Sequence, residues 1–192
     1  MENDANTTAN SRHISISEPS RWVRRFAPLI PLGGAVLDLA CGNGRHARHF
    51  LQLGFEVVAV DRDIEFVADL SGQAEIVQAD LEDGGPWPFA GRTFSGIVVV
   101  NYLHRPLLPL LGDSIAEKGV LIYETFAIGN ERFTRPRNPD HLLKDGELLE
   151  LVSGSMQVIA YEHGIVEAGP LPGVKQRICA VNDSELHNLS AV

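Results

Sequence analysis

Cysteine is scarce in this sequence: Cys41 and Cys179 are the only two, far apart and each in an apolar stretch. Two thiols so placed give no disulfide framework and no cysteine-based metal site, and both are expected to be buried. Long apolar runs are missing too. None reaches the length of a membrane-spanning helix, and Met1 to Ser17 is polar, without the apolar stretch of a signal peptide. A cytoplasmic protein is the expectation. Positive charge is outnumbered, 16 Lys and Arg against 25 Asp and Glu, for a formal net charge of −9. Such a surface repels a phosphate backbone on average, so a nucleic-acid partner would need a local basic patch, and a small or neutral one fits more easily.

What is present is enough apolar residue, 44% of 192, to close one sizeable core. Residues 1–16 and 183–192 are polar with little to bury and read as disordered tails, leaving 17–182 as a single domain. Ser17 or Ser20 suits the cap of a short amphipathic helix that buries Trp22, Val23, Phe26 and Ala27 and stops at Pro28 and Pro31. The period then changes. Short apolar runs at 35–40, 55–60, 75–79, 95–100 and 119–125 read as buried strands. Helices are expected at 45–53, 64–70 and within 106–116, and another near 147–152. Strands alternating with helices make a parallel sheet covered on both faces, which accounts for runs that are apolar throughout. The last two strand-like runs, 156–161 and 174–181, are separated by a Gly- and Pro-rich stretch with no helical pattern, so they should pair antiparallel. The fold expected is α/β, Rossmann-like and doubly wound: a mostly parallel seven-stranded sheet with an antiparallel last strand.

In such sheets ligands bind beyond the carboxyl ends of the strands, where the winding reverses. Gly42, Asp61 and Asp80 stand just past the first three strands. Gly42-x-Gly44-x-x-Ala47 by itself also satisfies a dinucleotide pattern and suits an ordinary strand-to-helix turn. Asp38 adds to it. Four residues before Gly42, its carboxylate would approach the same cleft, opposing a pyrophosphate but suiting a ligand with an ammonium and a sulfonium. S-adenosylmethionine carries both. Glycines at 42 and 44 let the backbone pass close to such a ligand, and Asp61 is able to accept from both ribose hydroxyls. Asp80 and Leu81 would flank the adenine, the first taking its exocyclic amine.

Val36-Leu37-Asp38-Leu39-Ala40-Cys41-Gly42-Asn43-Gly44-Arg45 resembles the first motif of class I S-adenosylmethionine-dependent methyltransferases. Val58-Ala59-Val60-Asp61 resembles the second and Ala79-Asp80-Leu81 the third. The Cys-Gly-Asn-Gly-Arg form is similar to small tellurite-resistance-type, stand-alone bacterial methyltransferases, which mostly modify small molecules. The resemblance spans roughly residues 33 to 181 and implies a cofactor site of Asp38, Ala40, Gly42, Gly44, Asp61, Arg62, Asp80, Leu81 and Asn101. Ala40 departs from the glycine more often found at its position.

His46 and His49, one helical turn apart, have no third ligand of suitable spacing and read as a solvent-facing pair rather than a metal site. His104, after the fourth strand, has the intrinsic range of a base and suits a helix cap equally well. Tyr123, Glu124 and Thr125 end the fifth strand and line either the acceptor side or the core. Neither cysteine has a natural place as a covalent nucleophile. The polar segment 126–141 combines Phe126 and Phe133 with Arg132, Arg135 and Arg137. It reads as a loop closing over an anionic acceptor or as a solvated surface loop. The function these readings carry is methyl transfer from S-adenosylmethionine to a small-molecule acceptor, by a monomer and with no metal. An RNA methyltransferase served by Arg21, Arg24 and Arg25, and a NAD-binding oxidoreductase, stay open beside it.

Overall fold

The computed structural model describes residues 16–167 and 169–186. The tails expected at 1–16 and 183–192 fall mostly outside these residues. Seven strands form one sheet: β1 (Ala35–Leu39), β2 (Glu56–Asp61), β3 (Glu75–Gln78), β4 (Phe94–Val100), β5 (Ile115–Phe126), β6 (Gln157–Val166) and β7 (Gly173–Val181). Their order is β3-β2-β1-β4-β5-β7-β6. Every pair from β3 to β5 is parallel, and β7 runs antiparallel to both β5 and β6. One reversed strand in a parallel sheet is the topology expected above.

The helices are α1 (Arg21–Phe26), α2 (Arg45–Gln52), α3 (Leu108–Asp113) and α4 (Glu147–Val152). Side chains alternate across each strand, so the sheet has two separate cores. On one face Val36, Val57, Ala59, Val98, Ile122, Cys179 and Val181 pack under α1 and α2. On the other, Leu37, Val58, Val60, Ile97, Leu121, Tyr123, Ile178 and Ala180 pack under α3 and α4. Trp22 fixes α1 on its face: the indole is 3% exposed, and Nε1 donates to the Ile178 carbonyl at 3.2 Å. Ser20 caps that helix by accepting the Trp22 N–H.

Three elements depart from the pattern in the sequence. Residues 65–70 form a 3-10 helix in place of the expected α-helix. Its buried side chains are Val67 and Leu70, a spacing of three that the tighter helix keeps on one side. β5 starts at Ile115, before the expected Gly119, because Phe94 pairs with Ile115 across a register shift in β4. β6 continues past Tyr161 to Val166, on the open edge of the sheet, where one neighbour satisfies the backbone and the side chains need no apolar pattern.

Candidate active site

The turn between β1 and α2 is built on three alternate residues that depart from ordinary backbone. Ala40, Gly42 and Gly44 all have positive φ, at 53°, 55° and 71°. Ala40 holds that left-handed conformation with a β-carbon, at a cost of roughly 1–2 kcal/mol. Asn101, just after β4 and across from this turn, does the same at 58°. Strained backbone thus borders both sides of the crevice at the carboxyl ends of β1 and β4, as it commonly does at ligand sites.

The two glycines do different work. A β-carbon on Gly44 would stand 2.5 Å from Val67 Cγ1, so this glycine seats α2 against the 3-10 helix; one on Gly42 would meet nothing within 4 Å, so the space above Gly42 is open. Gly44→Ala should therefore lower the melting temperature by several degrees, whereas Gly42→Ala should cost the unliganded chain only about 1 kcal/mol and weaken nucleoside binding. Thermal melts with and without S-adenosylhomocysteine separate the two.

Asp61, at the end of β2, holds the turn from outside. Its Oδ2 accepts the Gly42 N–H at 2.8 Å and its Oδ1 accepts the Asp63 N–H at 3.1 Å. Two backbone donors leave free lone pairs on a partly exposed carboxylate. Asp80 and Leu81 follow β3, Asp80 exposed with Oδ1 accepting the Glu82 N–H. Arg62 is exposed beside them and its carbonyl accepts from Gln78 Nε2. Tyr102 is a residue the sequence did not single out. Its hydroxyl is buried with no well-formed hydrogen bond, and burial, followed by the nearby carboxylates of Glu82, Asp80 and Asp61, pushes its pKa up. The phenol therefore stays protonated, a donor facing the acids at the ends of β2 and β3.

Asp38 does not edge the crevice as expected. It is 1% exposed, and Oδ2 accepts the Ala47 N–H at 2.8 Å, satisfying one of the orphan donors in the first turn of α2. His46 is turned inward as well, 3% exposed rather than facing solvent. Its Nδ1 lies 3.8 Å from Asp38 Oδ1, and its Nε2 accepts the Ser20 N–H at 3.2 Å. Burial pushes the Asp38 carboxyl up to about 7, against the pull of the Ala47 hydrogen bond, and burial holds the His46 imidazole well below its ordinary value.

These two shifts act oppositely on stability. The folded chain keeps the Asp38 proton up to about pH 7 while the unfolded chain releases it near 3.8, so this contribution is lost as pH rises through that window. His46 stays neutral when folded, so below the ordinary imidazole value of 6.5 the unfolded chain binds the extra proton and stability is lost as pH falls. Asp38→Asn keeps an oxygen for the Ala47 N–H and abolishes the first contribution. The variant should melt about 5 °C or more above wild type beyond pH 7, and should lose stability more steeply than wild type on acidification. Melting curves across the pH range check both slopes.

Beyond Asn101 and the start of α2 the crevice opens into a cavity of about 380 Å³. Its lining includes Ser20, Trp22, Arg45, Asn101, Glu124, Lys175 and Arg177. Glu124 stands near the end of β5, one residue after Tyr123, so the alternation of the strand turns it to the α1 face. Lys175 and Arg177 lie on that same face of β7, and Arg177 is the register partner of Glu124. Lys175 Nζ stands 3.0 Å from Glu124 Oε1 and 3.2 Å from Asn101 Oδ1, and Arg177 Nε stands 3.2 Å from Glu124 Oε2. Ser20 Oγ donates to Glu124 Oε2 at 3.1 Å, tying α1 to the group. The segment before α1 is stitched over the β1–α2 turn. Asn43 Nδ2 donates to the Ile16 carbonyl at 2.8 Å and Arg45 Nη1 to the Glu18 carbonyl at 3.1 Å.

The other expected acceptor-side groups lie elsewhere. Tyr123 is 1% exposed in the α3/α4 core, its hydroxyl donating to the Tyr102 carbonyl at 2.9 Å. Arg132 and Arg135 are exposed and do not line the cavity. Their segment is a folded connection, not an open loop. Ile128 donates to the Leu143 carbonyl and Leu143 to the Phe126 carbonyl, while Arg105 binds the Asp140 and Leu142 carbonyls and Glu147. His104 is half-buried outside the cavity lining. Lys175 and Arg177 were missed because β7 looked like a core strand. The signal was there in the pattern: two cations on alternate positions of a face that continues as Cys179 and Val181.

Residues 36–113 match the family model described as a methyltransferase domain. No curated protein matches the chain. Solved structures resemble its fold closely at low identity. TehB from Haemophilus influenzae superposes with a TM-score of 0.67 and 16% identity, over 84% of this chain and 61% of that one, so this chain spans about three fifths of that protein. A SAM-dependent methyltransferase from Methanosarcina mazei superposes with a TM-score of 0.64 and 13% identity, over 88% of this chain and all of the other (100%). The glycopeptide N-methyltransferase MtfA, in complex with S-adenosylhomocysteine, gives 0.57 and 20%, over 83% and 88% of the two chains. The fold is that of class I methyltransferases.

Proposed function

We propose that this methyltransferase domain takes its methyl group from S-adenosylmethionine and transfers it to a small organic acceptor held in the cavity between α1, Asn101 and β7. The observation that carries the reading is the turn at Gly42: open space above a glycine whose N–H is held by a carboxylate with lone pairs to spare. A nucleoside fits these groups. Asp61 would take the ribose hydroxyls, Asp80 the exocyclic amine, Leu81 the face of the adenine and the Tyr102 hydroxyl a polar edge. Asp38 contributes by fixing α2 rather than by facing the ligand. When bound, the cofactor supplies an electrophilic methyl whose bond to sulfur breaks as the acceptor's lone pair bonds to carbon, the electron pair returning to sulfur.

The chain's own contribution is orientation and dryness. The segment 16–20 lies over the β1–α2 turn, and Asn101 stands between that turn and the cavity, so two ligands bound on either side of it would meet there. An acceptor that must lose a proton needs a base. His104 lies off the cavity, and Lys175 and Glu124 are bound to each other, so an acceptor with a free lone pair suits the site better.

The accompanying reading is a single unit over 17–182, acting as a monomer in the cytoplasm, where two buried free thiols, Cys41 and Cys179, are at home. No helix among the described residues is long and apolar enough to cross a membrane. Calorimetry tests the cofactor directly. S-adenosylhomocysteine should bind with a dissociation constant of about 1–100 μM, and NAD at least about a hundredfold more weakly. Equal affinity, or preference for NAD, removes the proposal.

A further inference from the structure

The cavity beyond Asn101 carries more positive charge than it neutralises. Lys175 is 5% exposed. Arg177 is 16% exposed in its side chain, and its Nε–H is buried without a hydrogen-bond acceptor among the described residues even though Glu124 lies within ion-pair distance. Arg45 is half-buried and its guanidinium donates to a backbone carbonyl, that of Glu18. Arg21 and Arg24 line the cavity too, and among the lining residues Glu18 and Glu124 stand against these five cations, while Glu162, outside the lining, lies 3.3 Å from Arg177 Nη1. Positive charge is left over where the Lys175, Arg177 and Glu124 side chains are largely withdrawn from water. Burial lowers the pKa of Lys175, and Arg177 and Arg45 act in the same direction against Glu124. The remaining walls are apolar: Trp22, Val166, Pro170 and Leu171.

We infer that this cavity is an acceptor subsite for a small organic acid, whose single oxyanion lies among Arg45, Lys175 and Arg177 while its apolar body packs against Trp22, Val166 and Leu171. The inference rests on the acceptor side proposed above and adds the chemical class. A surplus of positive charge beside apolar walls suits an organic anion. Guanidinium groups at two of the three positions suit the planar, two-oxygen geometry of a carboxylate. A volume of about 380 Å³ exceeds what a bare inorganic oxyanion fills and suits an acid with a ring or short chain. The carboxylate is a handle; the atom that receives the methyl is a different one, on the part of the acid that reaches Asn101.

The test uses the full chain saturated with S-adenosylhomocysteine, so that failure of cofactor binding shows itself first and separately. Benzoate and 3-phenylpropionate are then titrated beside benzamide, benzylamine and phenyl phosphate. The acids should bind at least about tenfold tighter than any of the other three. Arg177→Gln, which leaves the Glu124–Lys175 pair in place, should abolish that preference while S-adenosylhomocysteine affinity stays within about threefold. If that variant does not fold, Arg45→Gln serves, read by the same ratio of acid to amide. In Glu124→Ala the cavity gains one uncompensated charge, so benzoate should raise its melting temperature more than it raises that of wild type. Acids that bind no better than benzamide, a preference for benzylamine or phenyl phosphate, or an unchanged acid preference in Arg177→Gln overturns the inference.

Discussion

Asp61→Ala is expected to weaken S-adenosylhomocysteine binding by about a hundredfold while leaving the chain folded. The carboxylate has one hydrogen bond that shapes the turn, to Gly42, and lone pairs left for two ribose hydroxyls. Hydrogen bonds to a charged group contribute roughly 1.5–3 kcal/mol each, so losing both would exceed 3 kcal/mol, and some recovery by water brings this nearer a hundredfold. The structural loss is smaller, about 1–2 kcal/mol for the two partly exposed bonds from Gly42 and Asp63. Asp61→Asn keeps an oxygen for Gly42 and should fall between. Calorimetry gives the affinity and a thermal melt the fold. An alanine variant that binds within about threefold of wild type would leave Asp61 as a turn-former only, and the nucleoside would have to be held elsewhere.

Glu124→Ala is expected to be the most damaging single change to stability. It leaves Lys175 and Arg177 facing each other in a buried cavity, and it removes the acceptor of Ser20 Oγ and with it one tie to α1. Breaking a buried ion pair from one side costs about 3–5 kcal/mol, or roughly 6–20 °C in melting temperature for a chain of this size. Replacing all three charges together, Glu124→Leu with Lys175→Met and Arg177→Leu, should recover most of the loss, because no charge is then left unpaired. Recovery of stability with loss of acid binding would show that the triad is kept for what it holds, not for the fold.

How much of this was legible beforehand differs from residue to residue, for physical reasons. The strands and the β1–α2 turn were readable because a parallel sheet buried on both faces writes itself as apolar runs, and a sharp turn writes itself as glycine. The reversed closing strand was readable from the absence of a helix between 161 and 174. Which way a side chain points was harder. Asp38 and Asp61 look alike in the sequence, each an acid at a strand end. The difference between them is that α2 starts directly above Asp38 and takes its carboxylate, while β2 ends one position farther out. Tyr123 and Glu124 are neighbours with opposite fates because a strand turns successive residues to opposite faces, and nothing local says which face holds the cavity. The cations at 175 and 177 belong to a site assembled across about fifty residues of chain from Glu124, a separation that no local motif spans.

The reversed course of β7 sets how this protein is able to diversify. In the parallel strands it is the finishing residue that reaches the crevice, whereas β7 brings its opening residues there, next to the end of β5. On the proposed reading, the donor-side residues Gly42, Asp61, Asp80 and Leu81 fall within 36–113, whereas Lys175 and Arg177 of the acceptor cavity belong to the hairpin of β6 and β7. A transplant of that hairpin between relatives of this fold should shift acceptor selectivity while leaving the β1–α2 turn as it is.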